Sequence, residues 1–399
     1  MQPASRSRRA VGLAMAIGLV VSTAACSDDE PPTTPTTPTP STAATVIEPA
    51  PAFEPGAAQW TAVPGRRTDV TTVSATSILT YELRGGPRAT QRTTAVYSRT
   101  TGKELWTLTG SPSRQIPGGY ISYSLTQASM GTGGRDPVLV PFSEYTCDSG
   151  APGRRCTGAR EEHGLEAFDQ STGRPLWRWS TGAGNPIVVV AATDADATVV
   201  SYVDDLGRNP PALVGLDTGT GAERWRTTDD EPYAVGHGRV VVTRGASTVV
   251  LDETTGEETW VGADGQVLQA MLDDVLLVSD ESGDGTDVVD LASGATEPFA
   301  TTVPSQSLEA DLLVWYDAEG QHTLADGDRE PATVPTSAFE AEMAEYTRIA
   351  TSDDYVFHLV GGEVLAVGRN GKVAGTHDVD VPIVVGDDYV LANDTVLPY

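Results

Sequence analysis

One short pattern recurs along the 399 residues and constrains the fold more than any other feature. Each copy has a few β-forming residues, an acid or Ser, two or three small polar residues, Gly, three more residues and then Trp. Self-similarity of this kind predicts stacked copies of one small structural unit. The copies are AVYSRTTGKELW, EAFDQSTGRPLW, LVGLDTGTGAERW and VVLDETTGEETW, ending at Trp106, Trp177, Trp225 and Trp260, and VVDLASGATEPF, with Pro298 in the Trp place.

The pattern describes a β-hairpin. The β-formers favour one strand, the acid can accept a backbone N–H of the turn, and Gly can take the positive φ that closes it. The glycines stand four residues before the Trp place: Gly102, Gly173, Gly221, Gly256 and Gly294. The acids stand four residues before the glycines: Asp169, Asp217, Asp252 and Asp290, with Ser98 in the first copy.

The Trp of each copy is predicted to lie on the returning strand. One hairpin cannot bury its apolar face alone, so we expect the indoles to wedge between neighbouring units as packing residues and not to bind a ligand.

The spacing of the copies predicts an all-β propeller over residues 57–399, closed by its two chain ends. Between the hairpins lie β-branched runs such as VGHGRVVVTR and LDDVLLVSD, which complete units of about four antiparallel strands. The chain ends on two strands, while Trp60 starts a lone strand after the linker, and pairing them would close the ring. This counts eight blades, with seven as the alternative. Helical periodicity is confined to residues 339–346.

These repeats resemble the pyrroloquinoline-quinone-type propeller repeat, whose core is LD-x-x-TG-x-x-x-W. The resemblance covers about residues 57–399 and implies the propeller fold. It leaves the chemistry open, because the family includes quinoprotein dehydrogenases and also non-enzymatic lipoproteins, among them the scaffold subunit of the outer-membrane protein assembly machine.

The N-terminus predicts export. Arg6, Arg8 and Arg9 precede an uncharged apolar run over residues 11–21 and small residues up to Ala25, the order of a secretory signal peptide at 1–25. Cys26 follows directly and resembles the lipid-accepting cysteine of bacterial lipoproteins, although Thr23 stands where that family has Leu. Residues 26–56 then form a Pro/Thr-rich tether that is expected to be disordered. The alternative to a lipoprotein is an ordinary secreted protein in which Cys26 is not acylated. Export by the Sec route and export by the twin-arginine route are both compatible with this N-terminus.

The charge balance excludes nucleic acid as a partner. The whole chain has a net charge of −29, and loss of the leader would remove three Arg and no acid. Phosphate binding requires a basic face, which this chain lacks. The expected contact with the membrane is through the lipid anchor alone.

Two further cysteines, Cys147 and Cys156, are expected to form one disulfide in an exported chain. The bridge would staple an excursion from about Asp136 to Glu162. No CxxC or Cys/His cluster predicts a structural zinc site.

The sequence offers no catalytic constellation, metal site or cofactor site. The five histidines, His163, His237, His322, His358 and His377, share no spacing. The acidic loop 280–287 has Leu291 where a calcium-binding EF-hand needs Glu, so we interpret it as a solvated hairpin.

Two functional hypotheses follow. The first is a non-enzymatic, lipid-anchored scaffold that binds an envelope or secreted protein through the propeller. The disulfide excursion is then either the docking surface or a surface loop without a role in binding. The second is a ligand-binding or quinone-dependent enzyme that uses the central channel. A sensor module of an envelope signalling system is not separable from the first.

Overall fold

The computed structural model describes residues between Trp60 and Pro398. The gaps are 62–66, 85–90, 111–113, 118, 132–135, 147–159, 182–185, 194–195, 205–211, 229, 273–274, 281–284, 300–311, 317–319, 326–331, 336–346, 352–354, 361–362, 369, 371, 379–383, 387–388 and 393–394. The short helix expected at 339–346 lies outside the described residues.

The described chain forms antiparallel sheets, which we number in chain order. Sheet 1 is β2 (Arg67–Val73), β3 (Ser77–Arg84), β4 (Gln91–Ser98) and β5 (Glu104–Thr109). Sheet 2 is β6 (Arg114–Ile116), β7 (Gly119–Tyr123), β8 (Ser129–Met130), β9 (Val138–Thr146), β10 (Arg160–Phe168) and β11 (Pro175–Ser180). Sheet 3 is β12 (Pro186–Thr193), β13 (Ala197–Asp204), β14 (Ala212–Asp217) and β15 (Glu223–Thr228). Sheet 4 is β16 (Glu231–Gly236), β17 (Arg239–Arg244), β18 (Ser247–Asp252) and β19 (Glu258–Asp264).

The second half continues the same plan. Sheet 5 is β20 (Gln266–Met271), β21 (Val275–Asp280), β22 (Thr286–Asp290) and β23 (Thr296–Pro298). Sheet 6 is β24 (Leu312–Tyr316), β25 (Gly320–Ala325) and β26 (Ala332–Pro335). Sheet 7 is β27 (Thr347–Thr351), β28 (Tyr355–Val360), β29 (Glu363–Gly368) and β30 (Val373–Asp378). Sheet 8 is β31 (Val384–Gly386), β32 (Tyr389–Ala392) and β33 (Thr395–Pro398), with β1 (Trp60–Thr61) on its outer edge.

The predicted all-β propeller is confirmed, and the described sheets depart from about four strands at two places. Among the described residues, six sheets have four strands, sheet 2 has six and sheet 6 has three. Sheet 2 gains strands because an extra hairpin, β6–β7, is inserted before β8 and pairs with the far half of β9. The regular helix content is low: the described residues contain one 3₁₀ turn at Leu125–Gln127.

In sheets 4 and 5 the second strand, β17 or β21, is buried on both faces, which explains its unbroken apolar sequence. In β17, Val240, Val241 and Val242 are all buried. Val241 packs toward sheet 5 and its two neighbours toward sheet 3. A strand covered on both sides has no solvent face, so the alternation of polar and apolar residues disappears.

Consecutive sheets pack face to face through apolar clusters. Such clusters join sheets 1 and 2, 2 and 3, 3 and 4, 4 and 5, and 5 and 6. First strands β24, β27 and β31 continue the contacts from sheet 6 to sheet 8. A further cluster joins sheet 8 to sheet 1, with Val396 and Tyr389 against Val73 and Ile78.

Candidate functional site

The acid of each repeat holds the hairpin turn, as the pattern predicts. Asp169 Oδ1 accepts the backbone N–H of Thr172 at 2.7 Å and its hydroxyl at 2.6 Å. Asp217 accepts the same two groups from Thr220. These hydrogen bonds favour the charged carboxylate and therefore lower the pKa of both aspartates. Equivalent contacts bind Asp252 to Thr254 and Thr255, Asp290 to Ser293, and Ser98 to Thr101.

The glycine of each turn has a left-handed backbone, and from the second repeat onward it lies against the Trp of the preceding repeat. The φ of Gly173 is +67°, and a Cβ there would stand 2.7 Å from the Trp106 ring. The φ of Gly221 is +69°, and its Cβ would stand 2.3 Å from the Trp177 ring. Trp225 packs on Gly256 in the same way, whereas the Trp260 ring would lie 3.9 Å from a Cβ at Gly294, an ordinary contact distance. The φ of Gly102 is also positive, 66°.

Each of the first three Trp side chains also donates a hydrogen bond to the next sheet. The indole nitrogens of Trp106, Trp177 and Trp225 lie 2.8 Å from the carbonyl oxygens of Gln170, Thr218 and Glu253, respectively. These acceptors follow directly after the acid of the next repeat. The Trp residues therefore link neighbouring sheets. Trp60 lies in β1, and its side chain is outside the described part.

A β-bulge aims these Trp side chains, and the sequence pattern gave no sign of it. In β11, Trp177 pairs with Ala167 and Pro175 with Phe168, so Leu176 is skipped. The residues skipped before the other three Trp are Leu105, Arg224 and Thr259. The bulge explains why Leu105 and Leu176 are exposed apolar residues. In the fifth copy, which has Pro298 in place of Trp, the ladder has no bulge.

Buried carboxylates between sheets are a second feature that sequence analysis missed. Glu82 is 1% exposed and, by strand alternation, lies on the same face of β3 as Ile78, which packs against sheet 8. It accepts hydrogen bonds from the Tyr97 hydroxyl at 2.5 Å and from Arg84 Nε at 2.7 Å. Burial opposes its charge, but these partners outweigh burial and lower the pKa of Glu82. Burial and the Glu82 charge raise the pKa of Tyr97 to about 12.

The same arrangement recurs between sheets 1 and 2. Glu166 is buried and accepts a hydrogen bond of 2.6 Å from the Tyr123 hydroxyl. Arg114, from the inserted strand β6, lies 3.3 Å from the other Glu166 oxygen. Burial and this carboxylate raise the pKa of Tyr123. Arg178 stacks 3.7 Å above the Phe142 ring and pairs with Glu144 at 2.5 Å.

A third carboxylate of this kind lies between sheets 3 and 4. Asp230 is fully buried and receives hydrogen bonds from Thr227 and from Arg244 Nε at 2.7 Å. Burial would raise the pKa of Asp230, but Arg244 and Thr227 lower it. The alternation of inward and outward side chains along β3 and β10 could have predicted that Glu82 and Glu166 are buried, because each stands at an inward position of its strand.

The excursion predicted to carry the disulfide, from about Asp136 to Glu162, overlaps two paired strands. Residues 138–146 and 160–168 belong to β9 and β10, so only the connection between them, loop 147–159, remains of the predicted span. Cys147 and Cys156 fall in this loop, and Cys26 in the N-terminal segment, all outside the described residues. Near the end of β9 that precedes loop 147–159 in the sequence, Tyr120 of the inserted hairpin stacks on Tyr145 with ring centroids 4.8 Å apart.

The histidines are scattered over the sheets. His163 Nδ1 lies 2.8 Å from Ser143 Oγ, and His322 Nδ1 lies 3.0 Å from Thr333 Oγ1. His237 occupies the turn before β17 with φ of 51°. His358 and His377 belong to β28 and β30, and their side chains are outside the described part.

The acidic loop 280–287 joins β21 to β22, and its residues 281–284 lie in a gap. Within the described ranges, no three His, Cys, Asp or Glu side chains are grouped as a metal site would require. In the same ranges, no helix has the length and apolar character needed to cross a membrane.

Comparison with known proteins identifies the fold family. A family model described as outer membrane protein assembly factor BamB matches residues 161–370, more than half of the chain. No curated protein matches the sequence.

Several solved structures resemble the chain. BamB from Moraxella catarrhalis is 14% identical with a TM-score of 0.44, and the match covers 84% of this chain and 98% of that one. AztD from Citrobacter koseri is 12% identical with a TM-score of 0.40, covering 75% and 85%. The quinohemoprotein alcohol dehydrogenase ADHIIG from Pseudomonas putida HK5 is 12% identical with a TM-score of 0.39, covering 81% and 70%. Because all three TM-scores lie below 0.5, these likenesses support no statement about function. The repeat and the family match agree: this chain belongs to the family of the outer membrane protein assembly factor BamB.

Proposed function

We propose that this protein is a non-enzymatic, extracytoplasmic scaffold that binds a protein partner at the cell envelope. The observation that carries the proposal is the family match over residues 161–370, because the family is described as an assembly factor. The use of the repeat residues supports it: the described Trp, Gly and acid side chains are engaged in turns and in packing between sheets. Recognition then falls to the connections between strands.

The docking surface that we propose is loop 147–159 together with the inserted hairpin β6–β7. The inserted hairpin pairs with the end of β9, and loop 147–159 follows that end directly in the sequence. The Tyr120–Tyr145 stack at this place supplies aromatic area of the kind enriched at protein interfaces. The predicted Cys147–Cys156 disulfide would hold the loop in one conformation and so lower the entropic cost of binding.

Cross-linking in the native envelope followed by pull-down tests this surface. Loop 147–159 is replaced by a short Gly-Ser turn. The matched control replaces 205–211, the equivalent connection between β13 and β14 of sheet 3. We expect the first variant alone to lose the cross-linked partner. Equal recovery from both variants would remove the assignment.

The proposal also includes the lipid anchor: a signal peptide at 1–25, acylation of Cys26 and a tether to residue 56. Two acyl chains suffice for stable membrane anchoring. Metabolic labelling with a fatty acid should mark the native chain and a Cys147→Ser/Cys156→Ser variant, but not Cys26→Ser. Labelling of the Cys26→Ser chain would contradict the anchor.

We further infer that the eight sheets make one closed ring of eight blades. The pairing of β1 with β33 and the cluster between sheets 8 and 1 support closure. An experimental density map would count the blades directly, and a gap between sheets 8 and 1 would refute the ring.

Titration with pyrroloquinoline quinone and calcium tests the non-enzymatic part. We expect no saturable change in absorbance and no dye reduction. Saturable binding with dye-reducing activity would favour the alternative, a quinone-dependent dehydrogenase that uses the central channel.

A further inference from the structure

The residue after the repeat acid ties each sheet to the sheet before it. In sheet 2 this residue is Gln170, which is buried. Its side-chain oxygen accepts a 2.8 Å hydrogen bond from Thr76 Oγ1 of sheet 1, and its nitrogen donates to Ser74 Oγ at 3.2 Å. The position is buried in all five copies: Arg99, Gln170, Thr218, Glu253 and Leu291.

In sheet 1 this position holds Arg99, and the sheet before it is sheet 8, formed by the two ends of the described chain. The Arg99 guanidinium carbon lies 5.5 Å from the centroid of the Tyr389 ring in β32. Arg99 Nη1 also donates to the carbonyl of Ser74 at 3.3 Å. Because Arg99 is only 5% exposed, its attraction to the ring is little screened by water.

The outer strand of sheet 8 is short. β1 contributes two residue pairs, Trp60 with Val396 and Thr61 with Thr395, and one side-chain hydrogen bond between the two threonines. In sheet 1, by contrast, β5 pairs with β4 over five residue pairs. Side-chain contacts therefore carry much of the joint between strands β31–β33 and sheet 1, whereas sheets 1 to 8 follow one another along the chain from β2 to β33.

We propose that the joint between sheets 8 and 1 is the first part of the propeller to open and that the Arg99–Tyr389 contact is its latch. Opening separates Val396 and Tyr389 from the apolar residues of sheet 1 while the other sheets stay packed. Local openings of this kind have lower free energies than global unfolding.

Hydrogen-exchange mass spectrometry on the full chain tests the latch. The variants are Arg99→Gln, which inserts the residue of the next repeat, Tyr389→Leu, which removes the ring, and Tyr389→Phe, which keeps it. We expect about tenfold faster exchange of residues 384–398 in the first two, the factor equivalent to 1.4 kcal/mol. Tyr389→Phe, which keeps the ring, should exchange more slowly than Tyr389→Leu. The matched control, Gln170→Thr, changes the same repeat position at another joint and should leave 384–398 unchanged.

The double variant Arg99→Gln/Tyr389→Leu separates a latch from general destabilisation. If the two residues act through one contact, the double variant exchanges no faster than either single variant. Additive effects, or faster exchange of β17 and β18 to the same degree as 384–398, would overturn the proposal. Unchanged exchange of 384–398 in Arg99→Gln would overturn it as well.

Discussion

The turn glycines serve two physical needs at once: a left-handed backbone and space for an indole. Gly173 has φ of +67°, and the Trp106 ring occupies the place of its missing Cβ. Gly245 has a similar φ of +64°, but nothing lies within 4 Å of the place where its Cβ would stand. Substitution of Gly245 therefore tests backbone strain alone, whereas substitution of Gly173 tests backbone strain together with a steric clash.

We predict that Gly173→Ala destabilises the protein more than Gly245→Ala. The Gly245 variant should lose about 1–2 kcal/mol through backbone strain alone. The Gly173 variant should lose a further ~1–3 kcal/mol because Trp106 must move. Urea unfolding followed by Trp fluorescence measures both. Equal losses would mean that the indole adjusts without cost.

The buried Glu82 gives the stability a dependence on pH. Its pKa in the folded state lies below the ordinary value of 4.5. When the pKa of a carboxyl is lower in the folded state than in the unfolded state, the carboxyl stabilises the fold at every pH above the unfolded-state pKa. This stabilisation is lost as the pH falls through the folded-state pKa.

We predict that Glu82→Gln flattens the acid side of the stability profile. At pH 7 the variant should lose about 1–3 kcal/mol, because the hydrogen bonds of Arg84 and Tyr97 lose their charged acceptor. Between pH 7 and pH 3 its stability should fall less than that of the native chain. Glu104→Gln, which alters the exposed partner of Arg84, should change stability by under ~1 kcal/mol. Identical pH profiles of the native chain and Glu82→Gln would contradict the assignment.

The hairpin becomes a propeller element through its bulge. The skipped residue before each Trp turns the indole toward the next sheet, where Trp177 donates to the Thr218 carbonyl at 2.8 Å. Trp260 packs more loosely, because a Cβ at Gly294 would lie 3.9 Å from its ring. Among the contacts of the described residues, its indole nitrogen donates no hydrogen bond.

We predict that Trp177→Phe costs more stability than Trp260→Phe. Phenylalanine keeps most of the apolar area but leaves the Thr218 carbonyl without its donor, at a cost of about 1–3 kcal/mol. The Trp260 variant should lose only packing area. Chemical denaturation with a probe other than Trp fluorescence, such as circular dichroism, compares them. A larger loss for Trp260→Phe would show that the hydrogen bond contributes little.

At the scale of the whole molecule, sheet 2 departs most from the repeat. It carries both the inserted hairpin and loop 147–159, within the longest interval between repeat Trp residues. Because β9 and β10 pair up to Thr146 and Arg160, the predicted disulfide would close a loop whose base is already held by the ladder.

We predict that Cys147 and Cys156 are oxidised to one disulfide in the exported protein. Alkylation before and after reduction, read by intact mass, detects the bridge. In a Cys26→Ser background, reduction should lower the free energy of unfolding by at most ~2–3 kcal/mol, because the closed loop is short. Two freely alkylated thiols in the unreduced protein would refute the bridge.

Local patterns determined the repeat unit of this protein. Acid, Gly and Trp at set spacings specify a turn and a returning strand because they act within one hairpin, and continuous Val/Leu runs specify strands covered on both faces. Tertiary structure decided how these units combine: which carbonyl the indoles of Trp106, Trp177 and Trp225 meet, which carboxylates are buried, and that sheet 2 gains an inserted hairpin. Those features depend on contacts between residues that are tens of positions apart in the sequence, such as Trp106 and Gln170. A pattern within one hairpin cannot specify which distant residue lies across the sheet interface.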